Sequence, residues 1–473
     1  MTATSGQSVG RWSEPPGRIA LMRVTLLAGP VLSMVDSSVV NVAVPVIVRD
    51  LHTSLGTAAW AVSGYLLGLA GGLAATPWLA RRFGAMRAYT AALLGFTLAS
   101  AACAAAPDVG LLIAMRVVQG VAGAPMVPLA LGLLLGDRGE AVAMPVSAGI
   151  MFFAAPALGP AVGGVLIAGF GWRSVFLINV PIGLAALAGT VVGRRPGSAG
   201  AADPSARPDV VGLALLGAGL GLATYGASRG PATGWLSPGS TPAWAGGVVL
   251  IAAYAAWARR RSRGTGPPPA VSLELLRSVR WTATLLLCCV ANVVLFSMLF
   301  LAPVLLQEVQ RRSVIVTGLA LLPQGVVMGL ASALGNKIVE GGRASSAVIY
   351  ASVAGGLALL AVSTLGLLLL TASTPVWLTA VLLCGRGIAL GLTIQPLVLS
   401  LLGGLDDRRS PDANTLFNIG ERLSASFGIA LLATFYASRA HASGSPVRAL
   451  HECALVLAAV SAAGALGALG MRF

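Results

Sequence analysis

Five charged side chains fall inside long apolar segments of this 473-residue chain. The acids are Asp36 and Glu421, and the bases are Arg116, Arg386 and Arg422. A charge at the centre of a membrane-spanning helix costs about 2.5–3.5 kcal/mol, so such residues are functional candidates. Burial makes a carboxylate hold its proton more tightly, and a nearby arginine has the opposite effect. Asp36 and Glu421 are therefore candidates for binding and releasing protons, with Arg116 tuning Asp36.

The rest of the chain is dominated by apolar residues. Hydrophobic residues make up 56% of it and charged residues 10%, with a mean hydropathy of +0.86, whereas soluble domains carry roughly a quarter charged residues. The apolar residues form blocks of about 20, the length of one helix across a ~30 Å hydrocarbon core. The composition therefore predicts an all-α polytopic membrane protein and excludes the soluble enzyme folds.

Fourteen membrane spans are predicted from these blocks. They cover residues 24–47, 57–80, 86–106, 109–135, 142–168, 172–193, 209–228, 242–258, 281–306, 314–335, 344–370, 375–402, 413–436 and 449–471.

Two long polar segments, at 194–208 and 259–280, divide these spans into groups. Both segments are rich in Gly, Pro and Arg, and they bracket the seventh and eighth spans. We predict a tail at 1–23, a six-helix bundle at 24–193, a linker at 194–280 with two extra spans, and a second six-helix bundle at 281–473. Two bundles of this kind are typical of secondary transporters, whose site lies between the halves.

A short repeat relates the two predicted bundles. The fourth span contains Arg116, Gly120 and then Pro128, and the twelfth contains Arg386, Gly391 and then Pro396.

The basic residues are distributed unevenly between the two sets of loops. The loops on the side of the termini hold 21 of them and the opposite loops hold seven. By the positive-inside rule both termini are predicted to be cytoplasmic. The net charge of +15 is thus a topology signal, and no nucleic-acid partner is predicted. The first apolar block is too long for a signal peptide and is expected to stay in the membrane.

Several kinds of active site are absent from the sequence. Lys337 is the only lysine and does not lie in a phosphate-binding loop. The three histidines stand singly and the five cysteines form no CxxC pair, so no metal site is predicted. No paired carboxylate or Ser/His arrangement indicates an enzyme. We predict no enzymatic activity and no cofactor, with the proton motive force as the energy source.

The depths of the charged residues predict two acid and base pairs. From the rise per residue, Asp36 and Arg116 lie about 12 Å and about 10 Å from the outer surface. The same estimate places Glu421 and Arg386 about 12 Å and about 14 Å from the cytoplasmic face. Each pair could instead neutralise its charges and hold two helices together.

A polar stripe follows the thirteenth span. Its members recur at helical spacing and are Asn414, Asn418, Glu421, Ser424 and Gly428. Polar residues in a membrane helix face protein or water, so this stripe is a candidate for the wall of a transport path.

Five segments carry a family resemblance. They are VDSSVVNVAVP from Val35, RVVQGVAGA from Arg116, ALGPAVGG from Ala157, WRSVFLINVPIG from Trp172 and FNIGERLSASFGIALLA from Phe417. In this order they resemble the motifs of the fourteen-helix drug/proton antiporters of the major facilitator superfamily. The resemblance covers essentially the whole chain. It implies two six-helix bundles with an inserted two-helix hairpin.

The fifth-helix motif consists of Gly159, Pro160, Gly163 and Gly164. Glycines let a neighbouring helix approach closely, and a proline permits a bend. The resemblance implies that this helix seals the path and favours exchange over leak. Plain packing of small residues is the alternative.

The loop after the second span departs from the family pattern. The family sequence is Gly-x-Leu-Ala-Asp-Arg-x-Gly-Arg-Lys, and PWLARRFGAMR from Pro77 keeps Arg82 and Gly84 but has Arg81 in place of the acid. The resemblance implies that this acid latches the cytoplasmic side. Either the latch uses another partner here, or the outward-facing state is less stable.

Eight residues in spans are candidates for lining a substrate cavity or for joining helices. They are Asn41, Tyr65, Gln119, Asn292, Gln324, Arg386, Gln395 and Asn418.

The sequence as a whole predicts proton-coupled export of amphiphilic small molecules by alternating access, in a monomer whose partners are substrate, protons and the lipid bilayer. The preference for Arg over Lys and the excess of Ala and Gly suggest a bacterium, hence its cytoplasmic membrane. The alternatives are a lipid or metabolite exporter of the same fold, and a membrane sensor or scaffold that transports nothing.

Overall fold

The computed structural model describes residues 16–135, 146–192, 202–263, 268–340, 346–403, 405 and 409–471. Within them every regular element is a helix, which confirms the all-α prediction. The α-helices are α1 (Pro16–Asp50), α2 (Leu55–Ala58), α3 (Trp60–Phe83), α4 (Ala85–Ala105), α5 (Val109–Gly123), α6 (Met126–Leu135), α7 (Val146–Phe170), α8 (Ser174–Leu177), α9 (Asn179–Val192), α10 (Val210–Thr233), α11 (Thr241–Arg263), α12 (Val279–Val304), α13 (Val314–Glu340), α14 (Ser346–Leu365), α15 (Val376–Leu402), α16 (Ser410–Ser443) and α17 (Pro446–Gly470).

Twelve helical segments of the described residues are long and apolar enough to cross a membrane. The protein is therefore a multi-pass membrane protein. Helices α7 and α16 coincide with the two further predicted spans, but α7 contributes only Leu158–Phe170 as a shorter apolar helix. The count of fourteen crossings stays a prediction. Some predicted segments lie partly outside the described residues. They are 1–15 of the tail, 142–145 of the fifth span, 193 of the sixth span, 194–201 and 264–267 of the linker, and 344–345 of the eleventh span.

Two predicted spans are each built from two helices because of proline. The fourth span is α5 followed by α6, with Pro125 at the junction, and the sixth is α8 followed by α9, with Pro181 in the first turn of α9. A proline has no N–H to donate to the carbonyl four residues earlier, so the helical hydrogen bonding is interrupted there.

Glycines bring helices together in the same way in the two halves of the chain, the segments 24–193 and 281–473 on either side of the linker. A Cβ on Gly120 of α5 would lie 2.9 Å from the backbone nitrogen of Leu69 on α3. A Cβ on Gly391 of α15 would lie 2.8 Å from the backbone nitrogen of Ser332 on α13. Only glycine allows backbones to approach this closely. The repeat noted in the sequence is thus a repeat of helix packing.

Helices α10 and α11 form a closely packed hairpin, and α10 also contacts α3 and α16. The segment that leads into α10 is attached to the end of α3. The indole of Trp78 donates to the carbonyl of Ala206 at 3.2 Å, and the amide of Asp203 donates to the carbonyl of Arg81 at 2.8 Å.

Candidate functional site

Asp36 of α1 and Arg116 of α5 form a buried ion pair. Arg116 Nη1 lies 2.5 Å from Asp36 Oδ2, and neither side chain is exposed. Arg116 Nε donates to the carbonyl of Ala61 at 2.8 Å, and its guanidinium lies 4.0 Å from the centre of the Tyr65 ring. The structure thus brings together the pair that the depth estimate predicts. Its part in proton coupling stays a prediction.

Three neutral side chains complete the surroundings of Asp36. Asn179 Nδ2 and Gln119 Nε2 donate to Asp36 Oδ1 at 2.8 and 3.3 Å. Both also donate to Ser100 Oγ, at 3.0 and 3.1 Å. Sequence reasoning missed Asn179 and Ser100 as site residues. Asn179 lies in the motif that opens the sixth span, and an amide inside an apolar segment was the signal that could have found it.

Tyr65 and Ser33 lie between this cluster and a central cavity. The Tyr65 hydroxyl is 2.8 Å from Ser33 Oγ, and Ser33 lines the cavity. The ring that stacks on Arg116 is therefore one hydrogen bond away from the cavity wall.

The central cavity has a volume of about 640 Å³. Most of its wall is apolar, with Leu69, Leu73 and Phe417 among the contributors. Its charged lining residues are Glu421 and Arg422 of α16. It is a drug-sized space with a few polar groups, as small-molecule sites commonly are.

Part of the predicted polar stripe faces this cavity. Asn414, Asn418 and Glu421 line it, and Asn418 Nδ2 donates to the Asn414 carbonyl at 2.8 Å. Gly428 instead contacts α12, where an added Cβ would lie 2.7 Å from Ser297 Oγ. The stripe leaves the cavity before its last member because α12 covers that turn.

The predicted pairing of Glu421 with Arg386 is wrong. Arg386 is fully buried and donates to Thr364 Oγ1 and, at 3.3 Å, to the Val294 carbonyl. No carboxylate of the described residues lies within ion-pair distance of it. Arg386 faces α12 and α14, whereas Glu421 faces the cavity. Equal depth does not determine the direction in which a helix presents a side chain.

Of the eight cavity candidates, Asn418 is among the residues that line the central cavity. The structure places the other seven elsewhere. Asn41 and Asn292 donate to carbonyls of their own helices, and Tyr65 and Gln119 belong to the ion-pair cluster. Gln324 and Arg386 are buried, and Gln395 is partly exposed but is not among the residues that line the cavity. In an apolar helix, a polar side chain readily forms its hydrogen bonds with nearby backbone or polar groups.

The glycine motif of α7 lies between α1 and α13. Gly159 contacts Ser38 of α1, and a Cβ on Gly163 would lie 2.9 Å from Val39 Cγ1. On the other side, a Cβ on Gly164 would lie 2.7 Å from the Val314 carbonyl oxygen, and Gly318 contacts the Pro160 carbonyl. The motif therefore permits close contact between α7 of the first half and α13 of the second, the close approach expected of it.

Further contacts join the two halves at the same end of the bundle. Ser63 of α3 and Ser426 of α16 each donate to the carbonyl of the other, at 3.2 and 2.9 Å. Gln307 Nε2 donates to the Val42 carbonyl at 3.0 Å. The cavity lies toward the other end, where α3 ends and α16 begins. The halves are thus closed at one end and separated at the other.

The loop between α3 and α4 turns at Gly84, whose φ is +83°, a conformation that favours glycine. Arg81 is exposed and lines a second cavity of about 380 Å³ together with Asp209 and Asp412. Hydrogen bonds from Ser205, and the nearby Arg82, lower the pKa of the Asp203 carboxyl. The linker thus brings a charged acid beside Arg82, next to the position where Arg81 replaces the family's acid.

No group of three or more His, Cys, Asp or Glu side chains in the described ranges could hold a metal ion.

Comparisons with solved structures agree with this architecture. The fold is similar to a bacterial homolog of the human lysosomal transporter Spinster, with a TM-score of 0.69, 14% identity and coverage of 97% of this chain and 98% of the other. It is also similar to a peptide transporter POT in complex with sulfate, with a TM-score of 0.64, 15% identity and coverage of 98% and 96%.

Relatives by sequence match most of the chain. A multidrug resistance protein B homolog of Mycobacterium tuberculosis is 31% identical over 88% of this chain and 76% of its own length. A methylenomycin A resistance protein of Bacillus subtilis is 31% identical over 88% of both chains. A tetracenomycin C resistance and export protein of Streptomyces glaucescens is 32% identical over 88% of this chain and 76% of its own. The model of the Major Facilitator Superfamily matches residues 26–429. These matches, on a fold of membrane helices around a central cavity, show that the chain belongs to the Major Facilitator Superfamily.

Proposed function

We propose that the protein exports amphiphilic small molecules, such as drugs, antibiotics or secondary metabolites, in exchange for protons across a bacterial cytoplasmic membrane. The observation that carries this proposal is the buried Asp36–Arg116 pair beside a largely apolar cavity of about 640 Å³. The printed names of the relatives, which are resistance and export proteins, support the substrate class.

The cavity is suited to amphiphiles because it joins an apolar wall to two opposite charges. Leu69, Leu73 and Phe417 supply apolar contact, and Glu421 and Arg422 supply the charges. Glu421 is partly exposed and can meet a cationic group of the substrate. In this proposal the main role of Glu421 is to bind substrate, and carrying a proton is its secondary role.

Asp36 is the proposed proton carrier. Its carboxylate is enclosed in the described conformation, so exchange of its proton requires movement of the helices around it. Ser33 and Tyr65 are the groups that lie between this enclosed cluster and the cavity, so a movement of these two side chains would open Asp36 to the cavity. A proton that enters down ~150 mV releases about 3.5 kcal/mol, enough for a few-hundredfold gradient of a neutral substrate.

With both termini in the cytoplasm, the described conformation is inward-facing. The contacts of α7 with α13 and of Ser63 with Ser426 then close the outer side. Export requires these contacts to open while the end of α3 approaches the start of α16. Asp203 beside Arg82 supplies the acid that the α3–α4 loop lacks.

The test is uptake driven by a pH gradient in proteoliposomes, with a panel of lipophilic cations and neutral antibiotics. Wild type is compared with Asp36→Asn and Glu421→Gln. We expect Asp36→Asn to abolish gradient-driven flux, and Glu421→Gln to keep it while weakening the uptake of cations. Flux that survives Asp36→Asn would make the buried pair structural. Absence of flux with every compound would favour a sensor or scaffold.

A further inference from the structure

The hydrogen bonds around Asp36 have determined directions. Arg116 carries donors only. Gln119 Oε1 accepts from Arg116 Nη1 at 2.8 Å, so the Gln119 amide nitrogen is the atom that faces Asp36 Oδ1. The orientation of this amide is therefore set by the arginine.

Ser100 sets the orientation of Asn179 in a similar way. Its hydroxyl donates to the Phe176 carbonyl at 3.0 Å, which leaves its oxygen to accept from Asn179 Nδ2 at 3.0 Å. Asn179 Nδ2 also donates to Asp36 Oδ1 at 2.8 Å. Arg116, Gln119 and Asn179 all donate to Asp36, so the arrangement fits a carboxylate and offers no acceptor to a proton on Oδ1.

Of the two amides at Asp36 Oδ1, only that of Asn179 can reverse without opposing an arginine. A reversed Gln119 would turn its NH₂ toward the Arg116 donor. A reversed Asn179 would place its carbonyl oxygen between Asp36 and Ser100 and accept from both, because a carbonyl oxygen has two lone pairs. Ser100 would then turn its hydrogen from the Phe176 carbonyl to Asn179.

We infer that Asn179 is a positioning residue whose amide reverses when Asp36 takes up a proton, and that it sets the pH range in which Asp36 exchanges that proton. The inference rests on the proposed function of Asp36. Other titratable or charged groups of the described residues that face Asp36 are Arg116 on α5, Tyr65 on α3 and Cys103 on α4. They are unchanged in variants at position 179, so a difference between those variants reports the amide.

The experiment is an infrared titration of the protonated carboxyl band of Asp36, which is identified by its loss in Asp36→Asn. The purified full chain is titrated with acid and base alone, so no substrate is needed. Asn179→Leu removes both the donor and the acceptor, and Asn179→Ser keeps one group that can act as either. Asn179→Ala repeats the measurement in case the leucine variant does not fold. The matched control is Asn292→Leu, which removes an equally buried amide that donates to its own helix.

A hydrogen bond to a charged acceptor is roughly twice as strong as one between neutral groups, so loss of Asn179 penalises the carboxylate more than the neutral acid. We expect Asn179→Leu to move the midpoint upward by about one pH unit and to raise the band frequency, since the acid loses its acceptor. Asn179→Ser should restore most of both changes, and Asn292→Leu should change neither.

A midpoint in Asn179→Leu equal to that of wild type would overturn the inference while leaving Asp36 as the proton carrier. A band that does not titrate in wild type, with gradient-driven transport intact, would instead overturn the assignment of Asp36 itself.

Discussion

The two halves of the protein each bury an arginine at corresponding places, but among the described residues only Arg116 is paired with an acid. Arg116 of α5 is paired with Asp36 at 2.5 Å, and its cluster includes Gln119 and Asn179. Arg386 of α15 is equally buried, yet its partners in the described part of the chain are a threonine hydroxyl and a backbone carbonyl. The halves therefore bury an arginine at corresponding positions but give it different hydrogen-bond partners.

The difference shows how the two halves divide their roles. The first half encloses its acid within the bundle, whereas the second half presents Glu421 and Arg422 to the central cavity from α16. The packing that surrounds the two arginines is nevertheless alike, since Gly120 and Gly391 bring α5 and α15 against their neighbours. A repeated fold therefore keeps its close helix contacts and varies its polar residues.

The largest expected effect distinguishes the two arginines directly. Arg116→Met leaves Asp36 as a buried, unpaired charge and should cost about 3–5 kcal/mol of stability. Arg386→Met removes hydrogen bonds but leaves no carboxylate of the described residues unpaired, and should cost about 1–3 kcal/mol. Thermal unfolding in detergent, with ligand absent, measures both.

The double variant Asp36→Asn with Arg116→Met is the control, because it removes both charges and should recover part of the loss. Equal losses for the two single arginine variants would show that the acid does not distinguish the halves.

The next effect tests the packing that the halves share. Gly120→Ala and Gly391→Ala each force a methyl group against backbone and should each cost about 1–3 kcal/mol. Gly217→Ala on α10 is the matched control, because nothing lies within 4 Å of its added Cβ. The same thermal measurement applies. A loss of stability in Gly120→Ala but not in Gly391→Ala would mean that the close helix packing, like the ion pair, is found in the first half alone.

A third effect concerns the contact between the halves at α7. Gly164→Ala should push α7 from α13, because the new methyl group would lie 2.7 Å from the Val314 carbonyl oxygen. We expect the substrate-free proton leak of proteoliposomes to rise roughly 5- to 30-fold, the factor for one or two kcal/mol. Gly169→Ala on the same helix meets nothing within 4 Å and should leave the leak unchanged. A leak that is the same in both variants would assign the seal to other contacts.

The smallest effect is expected where two serines join the halves. Ser63→Ala and Ser426→Ala each remove one hydrogen bond between membrane helices, worth about 0.6 kcal/mol on average. In a background that carries Gly56→Cys, the rate at which a thiol reagent labels the new cysteine should rise about threefold in each variant. The two free-energy effects should add in the double variant, so its rate factors should multiply. Ser438→Ala, which removes a bond within α16, is the control. No change in the labelling rate would exclude this contact from the closed end.

The acid pairs show how far sequence reasoning reaches. The depth of a residue along a helix follows from residue count, and this depth was enough to predict the contact between Asp36 and Arg116. Equal depth did not place Glu421 beside Arg386, because depth does not specify which neighbour a helix face meets. Asn179 was missed for a related reason: its partner lies 143 positions earlier in the chain, and no local pattern joins them.

The amino-acid sequence by itself determined the helical membrane fold, the positions of its long helices and the superfamily, because these depend on local apolar length and on motifs. Tertiary structure decided which polar side chains meet. It enclosed Asp36 in a cluster of donors, left Arg386 to neutral oxygens, and placed Asn418 and Glu421, rather than Gln119 or Asn292, on the central cavity. The reason is physical: helix formation is set by neighbouring residues, whereas the rotation and packing of each helix are set by contacts among helices distant in the chain.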